Sequence, residues 1–127
     1  VGRTRDGRLL LIRRGDTGTW ALPGGTIEWG ATLLSTFQRE LEEEAGVVEA
    51  ELTRLVGVFS RPDRDPRFHA VTVVVSARVS EPVKPPMNSL EIREVRLFEP
   101  GAVPAQLAMS MSDYLAAEAA AGPAVVE

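Results

Sequence analysis

GGTIEWGATLLSTFQRELEEEAGV, residues Gly24 to Val47, joins a Gly-Gly turn to a run that predicts a helix over about Thr32 to Ala45. An α-helix turns by about 100° per residue, so Glu40, Glu43 and Glu44, spaced i, i+3 and i+4, share one face. At about 5 Å and an effective dielectric of about 20, each like-charged pair costs roughly 3 kcal/mol. A helix carries such a load where a counter-charge meets it. Hard carboxylate oxygens suit Mg²⁺ or Mn²⁺, which also bind phosphates. The run therefore points to metal-dependent chemistry on a phosphate compound. Leu33, Leu34, Phe37 and Leu41 are expected opposite the acids as the packing side, and Gly46 is a natural C-terminal stop.

Working outward, Arg8 to Arg14 (RLLLIRR) reads as a strand behind the hairpin-turn signal Asp6-Gly7, with the end of another strand at Val1 to Thr4. Gly15 to Gly18 is a loop, and Trp20 to Pro23 leads into the Gly24-Gly25 turn. Beyond the helix, a strand is expected within Val47 to Ser60, then a polar loop over Arg61 to Arg67. Ala70 to Val79 carries the strongest strand signal, rich in valine and threonine. Glu81 to Ser89 is a loop kept extended by three prolines, and Glu91 to Phe98 is another strand. Pro104 opens a second helix that runs to about Ala121, stopped by Gly122-Pro123. With no internal repeat and no linker, one α/β domain over residues 1–127 is expected.

The 127 residues suffice for a real core, and 44% hydrophobic with 25% charged is ordinary for a globular chain. A net charge of −4 provides no basic footprint for an extended nucleic acid, although a metal would supply positive charge for a mononucleotide. The absence of cysteine excludes disulfides and thiolate chemistry and fits a reducing, cytoplasmic location. No apolar run is long enough for a membrane span, and no signal peptide is visible. The chain opens at Val1 rather than Met, which leaves the natural start open.

The same stretch resembles the Nudix hydrolases, whose box is G-x5-E-x7-R-E-U-x-E-E-x-G-U with U aliphatic. Gly25, Arg39, Glu40, Leu41, Glu43, Glu44, Gly46 and Val47 match at every spacing; only the first glutamate fails, its place taken by Ala31. The lead-in Trp20 to Gly25 and the order of elements are also similar to that family. The resemblance implies the Nudix fold, a mixed β-sheet sandwiched between helices and of the α/β (α+β) class. It implies that Glu40, Glu43, Glu44 and the carbonyl of Gly25 hold Mg²⁺ (or Mn²⁺), and that Arg39 pairs with a box glutamate and fixes its direction. Ala31 puts helix positioning or one metal site in question, and Glu28 is the nearest substitute.

The activity implied is hydrolysis of a phosphoanhydride in a nucleoside diphosphate linked to another moiety. Glu44 or Glu40 is the first choice for the base within the box; Glu91 is the candidate from a later loop, ahead of Glu94. Arg61 to His69 (RPDRDPRFH) resembles a segment of Nudix ADP-ribose pyrophosphatases, and Pro62 falls where a proline marks that subgroup. Arg64 or Arg67 then meets a terminal phosphate or ribose, unless the two pair with Asp63 and Asp65. Trp29 either stacks on a base or covers the helix start. ADP-ribose or a near relative leads; nucleoside triphosphates, oxidised ones included, come second. A non-catalytic nucleotide sensor is the third reading. Glu42 is expected as solvated surface, Trp20 as a core or turn anchor, and His69 in a structural role. Nudix relatives include dimers, so a homodimer stays open; a small-molecule nucleotide is the expected partner.

Overall fold

The computed structural model describes all residues from Val1 to Glu127. Its centre is β2 (Leu9–Arg14), whose continuous apolar run is explained by burial on both faces: Leu9 to Ile12 are at most 4% exposed. Side chains alternate across a strand. Leu10 and Ile12 therefore join Leu41 and Ala45 of helix α1 (Leu33–Ala45) on one face. Leu9 and Leu11 meet Trp20 and Phe98 on the other, with Leu115 of helix α2 (Met111–Ala119) packed against them. This is the mixed sheet between helices that the resemblance implies.

The sheet has seven strands. β1 (Gly2–Arg3) runs antiparallel to β2 and parallel to β5 (Thr72–Val79). β3 (Trp20–Ala21) and β6 (Ile92–Phe98) flank β2, both antiparallel. β4 (Ala50–Phe59) pairs antiparallel with β5, and its outer edge takes up the short parallel strand β7 (Val125–Val126). Trp20 stands edge-on to Phe98, ring centroids 4.9 Å apart, as a core anchor.

Two expectations are corrected, and one strand was not expected. The second helix starts at Met111, not Pro104. Trp20 donates to the Gln106 carbonyl (2.8 Å) and Ala108 donates to the Trp20 carbonyl (2.7 Å), so tertiary pairing with β3 holds this stretch extended. β7 carries too short a pattern to be seen locally; pairing with β4 creates it. On α1, Leu33 and Leu34 are 38% and 52% exposed, and the buried residues are Thr36, Leu41 and Ala45. Glu44 follows Leu41 by three residues, so it stands about 60° round the helix from it. The acids border the packing side rather than oppose it.

Both ends of α1 are fixed. Thr32 and Ser35 cap each other's backbone N–H groups (3.0 Å each), and Gly46 ends the helix in the left-handed region at φ 68°. A Cβ on Gly46 would also overlap the Lys84 backbone. Gly46→Ala is therefore expected to lower stability by at least about 1–3 kcal/mol, the cost of the left-handed conformation alone, read by urea denaturation.

Candidate active site

The glutamates occupy an electrostatically adverse helix end. A helix favours anions at its N-terminus and cations at its C-terminus. α1 has no acidic residue in its first turn and no basic one in its last, while Glu40 to Glu44 crowd its C-terminal half. Arg39 is the local answer. Its Nη2 donates to Glu40 Oε1 (3.0 Å) and to the Thr26 carbonyl (3.4 Å), and its Nη1 lies 3.6 Å from Glu28 Oε2. One guanidinium thus ties the Gly24–Gly30 loop to the helix. Glu28 thus offers Arg39 the carboxylate contact that Ala31 cannot. Its side chain is 71% exposed, so the pair contributes at most about 1 kcal/mol.

The same loop passes close over the helix. A side chain at Gly25 would overlap the Glu40 carboxylate and push it aside. Next to it, the Gly24 N–H donates to Glu44 Oε1 at 2.9 Å. Glu44 is half-buried, and its carboxyl is pushed up from the ordinary 4.5 to about 7. Loss of water is the main cause; the charges of Glu40, Glu91 and Glu43 add to it, against the Gly24 hydrogen bond.

Glu91 acts here because the segment before β6 is strapped across the end of α1. Val83 donates to the Gly46 carbonyl (2.9 Å) and Met87 to the Glu43 carbonyl (2.7 Å), meeting acceptors that a helix end leaves open. Asn88 Oδ1 accepts from the N–H groups of Leu90 (3.1 Å) and Glu91 (3.2 Å), and the Gly15 N–H donates to the Glu91 carbonyl (2.7 Å). Three prolines signal an extended loop but not where it lies, so this strap is not legible in the sequence. Glu42 is exposed and pairs with Lys84 at 3.3 Å, on the solvent side as expected.

Trp29 is fully exposed. Arg67 is 64% exposed and forks onto Asp65 at 3.0 and 2.9 Å, holding that carboxyl down at about 2. Arg64 is 8% exposed; its ion pairs run to Glu127 (2.5 Å) and Asp113 (3.0 Å), not to Asp63. His69 Nε2 lies 2.6 Å from the Ser60 carbonyl, a structural contact.

No three acidic or histidine side chains stand together as a ready metal cage. The donor set nevertheless fits a hard divalent cation. Two carboxylates, Glu40 and Glu44, flank a backbone that approaches without a Cβ, two further acids add uncompensated charge, and Glu44 is driven towards its neutral form. A cation here would take Glu40 from Arg39 and Glu44 from Gly24, or share them.

The NUDIX domain family profile matches residues 2–117. The protein therefore belongs to the Nudix domain family. It is 42% identical over 73 residues to an ADP-ribose pyrophosphatase of Methanocaldococcus jannaschii, covering 55% of this chain and 43% of that protein. It is 38% identical over 55 residues to a putative 8-oxo-dGTP diphosphatase of Bacillus subtilis, covering 43% of this chain and 36% of the other. The chain thus spans less than half the length of these curated relatives. The crystal structure of a MutT NUDIX hydrolase from Burkholderia pseudomallei superposes with a TM-score of 0.75 at 30% identity, over 91% of this chain and 92% of that one. No helix is long and apolar enough to cross a membrane.

The raised Glu44 carboxyl has a consequence for stability. Its folded value near 7 lies above the ordinary 4.5, so the folded state binds the extra proton. The sign follows: this contribution is fully present below about 4.5 and is lost as pH rises through about 7. After allowance for solvent screening the loss is about 2 kcal/mol. In metal-free buffer, Glu44→Gln should match the wild type near pH 4 and exceed it by about that amount at pH 8. Paired urea titrations at the two pH values check this; a difference independent of pH counts against it.

Proposed function

We propose that the protein is a divalent-cation-dependent pyrophosphohydrolase of nucleoside diphosphate derivatives, with ADP-ribose or a close relative as its substrate. The observation that carries this reading is the meeting of Glu40 and Glu44 with the Gly24-Gly25 backbone, with Glu91 delivered to the same place. Family membership supports the reaction class. The name of the Methanocaldococcus jannaschii relative and the exposed Asp65–Phe68 loop support the substrate class.

The chemical difficulty is that an anionic phosphate must accept an oxygen nucleophile. Mg²⁺ or Mn²⁺, held by Glu40, Glu44, Glu43 and the Gly25 carbonyl, would neutralise the phosphate oxygens and lower the pKa of a bound water. Arg39 keeps Glu40 directed towards the Gly25 turn by its 3.0 Å hydrogen bond. Glu44 is the first candidate to take the proton from the attacking water, because its half-buried carboxylate stands at the Gly24-Gly25 turn beside the other acids. Glu91 is the alternative base, from outside the helix. Arg67 offers a free Nη1 to a phosphate or ribose, and the exposed indole of Trp29 offers a flat face to a base. Arg64 is assigned to holding the loop rather than touching substrate, because Glu127, Asp113 and Ser110 already take its donors.

A second reading, hydrolysis of oxidised nucleoside triphosphates, is favoured by the name of the Bacillus subtilis relative. A panel with Mg²⁺ or Mn²⁺ separates the two: phosphatase-coupled phosphate release from ADP-ribose products, and pyrophosphate release from triphosphates. Turnover of ADP-ribose is expected, with Glu44→Gln at least about 100-fold slower, the scale of losing a principal catalytic group. Near-normal turnover by the variant removes Glu44 from the chemistry. Binding without turnover by the wild type makes the protein a nucleotide sensor instead.

A further inference from the structure

The loop from Ser60 to His69 is held at its base by a residue far away in the chain. Glu127 Oε1 accepts from the backbone N–H groups of Ser60 and Arg61 and from Arg64 Nε, each at 2.8 Å; its Oε2 accepts from Arg64 Nη2 at 2.5 Å. Arg64 Nη1 reaches Asp113 Oδ2 (3.0 Å) and Ser110 Oγ (3.2 Å) at the start of α2. The guanidinium also lies over the rings of Phe59 (5.0 Å) and Tyr114 (5.6 Å). The side chains of Arg64 and Glu127 are 8% and 17% exposed and form a bidentate pair, with the remaining Arg64 donor satisfied.

Beyond that base stands an exposed tip. Arg67 lies 5.2 Å from the ring of Phe68, which is 57% exposed. β1 lies between β2 and β5, with Arg3 opposite both Leu9 and Arg78, so the last residue of β2, Arg14, and the first of β5, Thr72, stand at one end of the sheet. The loop that leads into β5 therefore rises at the same end as the hairpin between β2 and β3. That hairpin is bonded to Glu91 through Gly15. The loop held by Glu127 and the rim of the candidate active site thus share one end of the sheet.

We propose that Glu127 is a positioning residue: by fixing Arg64 and the start of the loop, it sets where Arg67 and Phe68 stand. It thereby sets the affinity for the moiety beyond the diphosphate of the substrate. The proposal rests on the pyrophosphohydrolase reading above. It differs from a purely stabilising role, which would leave substrate affinity unchanged wherever the fold is intact.

Glu127→Gln tests it. The carbonyl of Gln can still accept from Ser60 and Arg61, but its amide nitrogen would face an Arg64 donor and the fork is lost. The expected result is a KM for ADP-ribose raised about 5- to 10-fold with kcat within about twofold, and an unchanged KM for a nucleoside triphosphate, which lacks the second moiety. A readout without substrate is trypsin cleavage after Arg64 and Arg67, expected to quicken at least about fivefold; the Arg61-Pro62 bond resists trypsin. Glu127→Asp, too short to keep the fork but still charged, is the second variant should Gln fail to fold, and the same direction is expected. An unchanged KM overturns the proposal, whether or not cleavage quickens. If the wild type does not turn over ADP-ribose, the substrate reading fails by itself. The comparison is then made by calorimetric Kd on the diphosphate derivative that the panel identifies, and the absence of any bound derivative overturns both.

Discussion

Like-charge crowding at the end of one helix is the constraint around which the rest is arranged. Glu40, Glu43 and Glu44 stand where the helix dipole already disfavours anions, and Glu44 loses water by bordering the core. A fold selected for stability alone would place a lysine or an alanine there. The surroundings instead hold the carboxylates in place without neutralising them. Arg39 directs one, Gly24 donates to another, and the strap from Val83 to Glu91 satisfies the helix end while adding a further acid. Departures of this kind from local optimality mark functional sites.

The sheet explains why those groups stay in register. Leu10 and Ile12 seat α1 through Leu41 and Ala45, and the bonds of Trp20 to Gln106 and Ala108 hold the lead-in to the Gly24-Gly25 turn. The turn and the helix thus attach to the same central strand and its neighbour. That shared footing lets a backbone N–H and a side-chain carboxylate from elements twenty residues apart in sequence meet at 2.9 Å.

Much of this was legible because the relevant contacts are short-range in sequence. The box spacing gives the helix and its cap at Gly46, and the resemblance gives the pairing of Arg39 with a box glutamate, which is Glu40. The valine-rich run gives β5, and the apolar run of β2 gives a strand. What was not legible depends on partners far along the chain. The residue type of Arg64 fits a phosphate contact as well as an ion pair, and its partner Glu127 lies 63 residues away. Pro104 reads as a helix start until β3 competes for the backbone that follows. Helical periodicity grouped Leu33 and Leu34 with Leu41, but in the first turn of α1 they stay 38% and 52% exposed. The placement of Glu91 beside Glu44 needed the course of a proline-bearing loop that no local pattern encodes.

The short parallel pairing of β7 on β4 has a meaning for solution behaviour. An open strand edge is a template on which a second chain can extend the sheet. Over Gly57 and Val58 that edge is taken by Val125 and Val126, and Glu127 donates its N–H to the Val58 carbonyl at 3.0 Å. Gly57 lets the covering strand lie close, since a Cβ there would come within 2.7 Å of the Val125 carbonyl. Residues Val125 to Glu127 thus shield the stretch of rim where β-sheet polymerisation would otherwise begin.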